Sequence, residues 1–137
     1  MKHPILFLAA AATLWLASGC QTSGPYAPQA EKPPGLNEAT ATVVLMDLQV
    51  QASITSSGDR SSPMPDGRLK AQVSLKNRES RRVQVQVQCV FKDDQGFAVD
   101  ETPWMTYTLT ENATEAVEVT SMNTLARKYT FRVRQMH

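Results

Sequence analysis

From Val43 onward, apolar and polar residues alternate with period two over much of the chain, the pattern of strands that bury one face and wet the other. The clearest run is Arg82–Lys92, where Val83, Val85, Val87, Cys89 and Phe91 fall on one side and Gln84, Gln86 and Gln88 on the other. Before it, Leu69–Leu75 sets Leu69, Ala71, Val73 and Leu75 against Lys70, Gln72 and Ser74. After it come Ala116–Thr120 and a last strand, Tyr129–Arg134, with Tyr129, Phe131 and Val133 inward. Phe97–Asp100 and Trp104–Leu109 read as two parts of one return strand, with a bulge or edge expected at Pro103, which cannot donate to a ladder. The alternation of Leu48, Val50, Ala52 and Ile54 predicts a first strand over Val43–Ile54.

Between these runs lie turn signals. Thr55–Gly67, with Gly58, Pro63, Pro65 and Gly67, reads as a long exposed loop. Asn77–Ser80 and Thr110–Glu115 are polar turns, Ser121–Arg127 a crossing loop. Asp93-Asp94-Gln95-Gly96 closes a hairpin in which Gly96 takes positive φ without a Cβ penalty. No segment has a helical period with caps. Six to eight short strands in about 95 residues predict an all-β fold, an immunoglobulin-like antiparallel β-sandwich, with a closed small barrel as the competing solution.

The N-terminal part has a different composition. A basic start at Lys2, an apolar run from Ile5 to Leu16 and a small-residue region form an export signal. The run is shorter than the roughly 20 residues a spanning helix needs. A thiol directly follows Leu16-Ala17-Ser18-Gly19, so Cys20 is the expected lipidation site of a bacterial lipoprotein: its sulfur takes a diacylglyceryl group, the chain is cut before it, and the new amine is acylated. Stable anchoring takes more than one acyl chain, and this residue carries several. Gln21, in place of Asp, follows the pattern passed on to the outer membrane of a Gram-negative cell. From Gln21 to about Thr40 the chain is rich in Pro, Gly, Ala and polar residues, which cannot bury enough apolar area to offset ordering entropy. The expected organisation is a signal peptide over 1–19, a lipidated Cys and disordered Pro-rich tether over 20–41, and a β-sandwich over 42–137.

Charge and chemistry narrow the function. Of the fourteen basic residues Lys2 leaves with the signal, so the rest balance the thirteen acidic ones, and no field for nucleic acid is implied. With Cys20 consumed, Cys89 has no partner for a disulfide within the chain; on the apolar phase of its strand it is expected as a buried core thiol. The two histidines are His3, in the signal, and His137, so no Ser-His-Asp, Cys-His or metal constellation forms without a chain terminus. Asp93-Asp94 and Asp100-Glu101 are adjacent carboxylates of the kind that point into solvent. No catalytic residue, metal or cofactor is expected.

Two surface features remain. If the third strand and the last share a sheet, Gln84, Gln86, Gln88, Arg132 and Arg134 merge into one polar, basic face, suited either to an anionic partner or simply to solvation. Trp104, beside Pro103 and near Tyr107, is expected in the core; exposed, it would anchor a partner.

The residues Leu75, Asn77 and Glu79, the run Phe91-Lys92-Asp93-Asp94-Gln95-Gly96, Pro103-Trp104, Leu109-Thr110, Val117, Val119, and the closing Ala126, Phe131, Val133 and Arg134 resemble the small bacterial lipoproteins called YcfL-like. The sequence departs from them at Val90 and Lys92, where aromatics are usual, and at Phe91, where a Trp is usual. The resemblance implies a lipidated periplasmic β-sandwich without a catalytic site; in some members the gene lies beside that of a lipoprotein activator of a cell-wall synthase. The sequence thus predicts a non-enzymatic envelope module, held at the periplasmic face of the outer membrane through Cys20. It would support a cell-wall or secretion assembly by binding an envelope protein, with Trp104, Tyr107, Arg132 and Arg134 as the interaction surface. The alternative is a binder of small ligands or glycans, which needs a concave, partly aromatic pocket.

Overall fold

A computed structural model describes residues 40–136; the expected signal peptide, Cys20 and nearly all of the tether lie outside the described residues, as does His137. The elements are β1 (Val43–Leu45), α1 (Leu48–Ser53), β2 (Ile54–Pro63), β3 (Leu69–Asn77), β4 (Val83–Lys92), β5 (Ala98–Glu101), β6 (Met105–Leu109), β7 (Thr114–Thr120) and β8 (Lys128–Gln135). They form a five-stranded sheet, in which β8 lies between β1 and β4 while β5 and β6 share the other edge of β4, and a three-stranded sheet ordered β2-β3-β7. All pairings are antiparallel except β1 with β8.

This is an immunoglobulin-type sandwich. β2, β3 and β7 take the places of strands A, B and E in one sheet; β4 and β8 take those of C and F in the other, with β5 and β6 as its outer neighbour. The place of strand G, beside F, is filled from the N-terminal side by β1, with Val43 opposite Phe131 and Leu45 opposite Val133.

The core follows from the alternation. Val85, Val87, Cys89 and Phe91 of β4 and Phe131 and Val133 of β8 pack against Ala71, Val73 and Leu75 of β3 and Val117 and Val119 of β7. Cys89 is buried among them. A smaller buried group lies on the other side of the five-stranded sheet, where Val44 and Val90 accompany Thr130 and the Lys92 ammonium donates to Thr130 Oγ1 at 2.8 Å.

Three expectations are corrected. The single first strand over Val43–Ile54 is instead β1, one turn of helix and the start of β2. β1 and β2 belong to different sheets, so the chain must cross between them, and α1 makes that crossing with Val50 and Ser53 buried. Leu48, which period two would place in the core, is 84% exposed. The expected loop over Thr55–Gly67 is mostly β2, an edge strand held by main-chain pairing to β3 with a bulge between Ser56 and Gly58. Its Ser, Gly, Asp and Pro content hides it because a strand exposed along most of its length needs no apolar alternation. Trp104, expected in the core, is half-buried on the outer face of the five-stranded sheet. The return strand breaks over Thr102–Trp104 as Pro103 requires, Thr102 Oγ1 accepts the Cys89 amide at 2.9 Å, and the chain resumes in β6 after the Trp has passed to the solvent side.

The hairpin after β4 closes as expected. Asp93 Oδ1 accepts the amides of Gln95 and Phe97, each at 2.9 Å, and Gly96 has φ +94. The turns sort to two ends. The β2–β3, β4–β5 and β7–β8 connections share one, because Lys92 lies opposite Lys128 and Lys70 opposite Thr120. α1, the turns after β3 and β6 and the end of β8 share the other.

Candidate functional site

The register of β4 against β8 places Arg134 opposite Gln86 and Arg132 opposite Gln88. All four point away from the core, since Val87, Cys89, Phe131 and Val133 take the inward phase. The glutamine side chains act as braces: Arg134 Nε donates to Gln86 Oε1 at 2.9 Å and Arg132 donates to Gln88 Oε1 at 3.3 Å. Gln88 is itself tied to the break in the return strand, its amide donating to Thr102 O at 3.1 Å.

That break delivers the aromatic component. The Arg134 guanidinium carbon lies 4.0 Å from the centroid of the Trp104 ring, a cation–π stack. Gln84, Thr106 and Thr108 extend the same face, exposed, toward β6, and Gln84 donates to Thr108 Oγ1 at 3.4 Å. The result is a platform of cationic, amide and hydroxyl groups around one stacked indole. Held by both the stack and its hydrogen bond, Arg134 is pre-organised, which lowers the ordering cost of a contact made through it.

Of the four residues expected at the interaction surface, the structure brings Trp104, Arg132 and Arg134 together. Tyr107 is not with them. It pairs with Val85 on β6, faces the core side at the edge of the sandwich, and burial pushes its phenol pKa up. Trp104 and Tyr107 therefore line no common pocket.

Three further arginines are engaged locally. The Arg78 guanidinium donates to Gln51 O and Ala52 O and so caps α1; Arg81 bonds to Glu79, and Arg82 lies 3.5 Å from Glu111. The Glu79 carboxyl is held below its ordinary pKa by its hydrogen bonds from Arg81 and Ser53. An open groove of about 740 Å³ lies here, at the end of the sandwich that carries α1, lined by Gln49, Ser53, Arg81, Arg82, Gln84 and Gln135 among others. No residue pattern marks it, because it exists only where β8 stops short of the start of β4 and α1 stands beside the gap.

Nucleophilic chemistry finds little support. Burial pushes the Cys89 thiol up to about 12, which keeps it protonated at neutral pH. Among the described residues no group of His, Cys, Asp and Glu is arranged to hold a metal ion, and no helix is long and apolar enough to cross a membrane.

Fold and surface together define a small immunoglobulin-type sandwich that presents a braced Arg–Trp platform on one sheet. The chain belongs to the family described as "Protein of unknown function (DUF1425)", whose model matches residues 41–135. Among solved structures it is similar to Campylobacter jejuni cj0090, with TM-score 0.59 and 13% identity over 69% of this chain and 98% of that one. It is also similar to a DUF1425 family member from Shewanella sp. pv-4, with TM-score 0.56 and 19% identity over 61% of this chain and 79% of that one. At these identities the likeness is one of fold. Comparison with curated proteins found no match.

Proposed function

We propose that this protein is a YcfL-like lipoprotein anchored through Cys20 at the periplasmic face of the outer membrane, a non-enzymatic module that docks an envelope protein on the Arg–Trp platform. The observation that carries the docking is the Trp104–Arg134 stack. An aromatic and an arginine, the residue types that dominate binding hot spots, stand stacked together on the outer face of the five-stranded sheet, which suits the surface of a protein partner. The anchor rests on the sequence at Leu16–Cys20. The cell-wall or secretion setting rests on the YcfL-like resemblance.

The test is a crosslinking pull-down from intact envelopes with the wild-type chain, Cys20→Ala, Trp104→Ala and Arg134→Ala. A specific protein enriched with the wild type and lost with the two platform variants is the expected result. Enrichment of the same protein regardless of those variants would remove the platform from the proposal, and enrichment of nothing would end the partner reading.

A second reading, a binder of a polar small molecule or glycan, is favoured by the groove at the α1 end. Its arginines and glutamines offer donors and acceptors to hydroxyl groups. Saturable amide shifts at Gln84 and Gln135 on titration with envelope oligosaccharides, absent in Gln84→Ala, would support it.

A further inference from the structure

Three large apolar side chains stand in solvent at one end of the sandwich: Phe97 at 67% exposure, Met122 at 83% and Leu125 at 62%. They come from two loops fastened side by side. Met122 N donates to Asp100 Oδ2, Asn123 Nδ2 donates to Val99 O at 2.9 Å, Arg127 N donates to Lys92 O at 2.8 Å, and Lys128 Nζ donates to Asp94 O at 2.7 Å. The β4–β5 turn and the β7–β8 loop are thus braced against each other by these bonds while their large apolar side chains stand exposed. Single exposed apolar residues are ordinary; three large ones on two adjoining, braced loops call for an apolar neighbour.

The path of the chain says which neighbour. β1 runs parallel to β8, and its approach continues that ladder backwards: Phe131 N donates to Thr42 O at 2.8 Å and Thr130 Oγ1 to Ala41 O at 2.9 Å. The chain therefore enters at the end where β8 begins, which is the end that carries Phe97, Met122 and Leu125. About 20 residues separate Cys20 from this point, a reach of at most about 70 Å fully extended. We infer that this end faces the bilayer that holds the anchor, and that Phe97, Met122 and Leu125 make a second, reversible contact with the lipid surface.

The inference rests on the lipid anchor proposed above. Three side chains bind a bilayer only weakly by themselves, as even one acyl chain does, but the anchor raises their effective concentration at the surface. The charges around them are mixed: Arg68, Arg127 and Lys128 stand among Asp66, Asp94 and Asp100. The contact is accordingly apolar in origin and insensitive to salt. It leaves the Arg–Trp platform on the side of the sandwich, clear of the membrane.

The experiment uses the full chain, matured in cells and reconstituted into phosphatidylethanolamine and phosphatidylglycerol vesicles carrying brominated acyl chains. Phe97→Cys, Leu125→Cys and Leu48→Cys are each labelled with an environment-sensitive fluorophore. Leu48 is the control, a still more exposed apolar position at the opposite end, and Cys89 stays unlabelled in the core. Quenching by the bromines at positions 97 and 125 but not at 48, unchanged between 50 and 500 mM salt, is the expected result. No quenching at 97 and 125, or equal quenching at all three, overturns the membrane contact while leaving the anchor standing. Label taken up by the chain without an engineered cysteine means that Cys20 carries a free thiol, which overturns the anchor and this inference with it. In whole envelopes, photocrosslinks from 97 and 125 to a protein in place of lipid would reassign the surface to a protein partner and overturn the lipid contact.

Discussion

The Tyr129 hydroxyl donates to the Asp59 carboxylate at 2.6 Å, joining β8 of one sheet to β2 of the other across 70 positions of sequence. The Tyr129 ring stands edge-on to Phe131 with centroids 5.7 Å apart. Its apolar body thus belongs to the core, while its tip emerges where β2 offers only Ser, Asp and Arg. An amphipathic side chain is what this seam requires. Tyr129→Phe keeps the ring and removes the bond, and because Asp59 is exposed the expected loss is about 1 kcal/mol. Tyr129→Ala removes the ring as well, with an expected loss of about 3 kcal/mol. Urea unfolding of the two variants checks both.

Alkaline pH should loosen the fold as it passes the ordinary titration range of an unfolded thiol and phenol. Burial pushes the Cys89 thiol from 9.0 up to about 12, and burial together with the Asp59 hydrogen bond pushes the Tyr129 phenol well above its usual value. Each group releases its proton more readily from the unfolded chain. Their contribution to stability is therefore whole below about pH 9 and is lost as pH rises toward the folded values, with a slope approaching 1.4 kcal/mol per unit for the buried thiol and a shallower one for the partly exposed, solvent-screened phenol. The expected outcome is a urea midpoint that falls between pH 9 and 11, falls less steeply in Cys89→Ala, and less steeply still when Tyr129→Phe is added.

Asn77 pins three segments at the far end of β3. Its Nδ2 lies within hydrogen-bonding distance of Arg81 O at 2.7 Å, Leu109 O at 3.2 Å and Thr110 O at 3.0 Å, and its Oδ1 accepts the Glu79 amide at 2.9 Å. The side chain is fully buried. Asn77→Ala strands several buried polar groups and should cost about 3 kcal/mol. Asn77→Asp should cost a similar amount, since it sets a carboxylate against carbonyls. Denaturant unfolding reads the cost, and hydrogen exchange should show it concentrated in the turns after β3 and β6.

The Trp104–Arg134 stack should matter little for folding. A half-exposed cation–π pair is worth about 0.5–1 kcal/mol, so Trp104→Ala, Arg134→Ala and the double variant should close a cycle with a coupling of that size and leave the unfolding transition nearly in place. A coupling above about 2 kcal/mol would mean that the pair is a structural clasp instead of a presented surface.

How far the sequence disclosed this arrangement depends on whether a residue's neighbours bury it on one side only. β3, β4 and β8 were legible because Val73, Val85 and Phe131 sit in strands with one wet face, and the turn at Gly96 because its φ favours a residue without Cβ. Arg132 and Arg134 could be placed with Gln86 and Gln88 by alternation alone, once β4 and β8 were taken to share a sheet. Trp104 could not. Its face is set by the break at Thr102–Trp104, where a hydroxyl takes a ladder bond. Its separation from Tyr107 follows from the same break, since Tyr107 lies within β6 on the core side. β2 was illegible because its partners are main-chain groups, which leave no mark on residue type. Phe97, Met122 and Leu125 were not legible as a group because they come to one end only when two turns distant in sequence are brought together.

The strand that fills the place of G is also the first strand of the chain after the anchor proposed at Cys20. If the protein is held to a membrane at Cys20 and to a partner elsewhere, any pull between the two enters the domain through β1. It runs along the strand axis, nearly perpendicular to the bonds from Phe131 N to Thr42 O and from Met46 N to Val133 O. Such a load strains these bonds together and does not unzip them one after another. A three-residue strand thereby becomes the mechanical link through which any load on the N-terminal side of the domain reaches the sandwich.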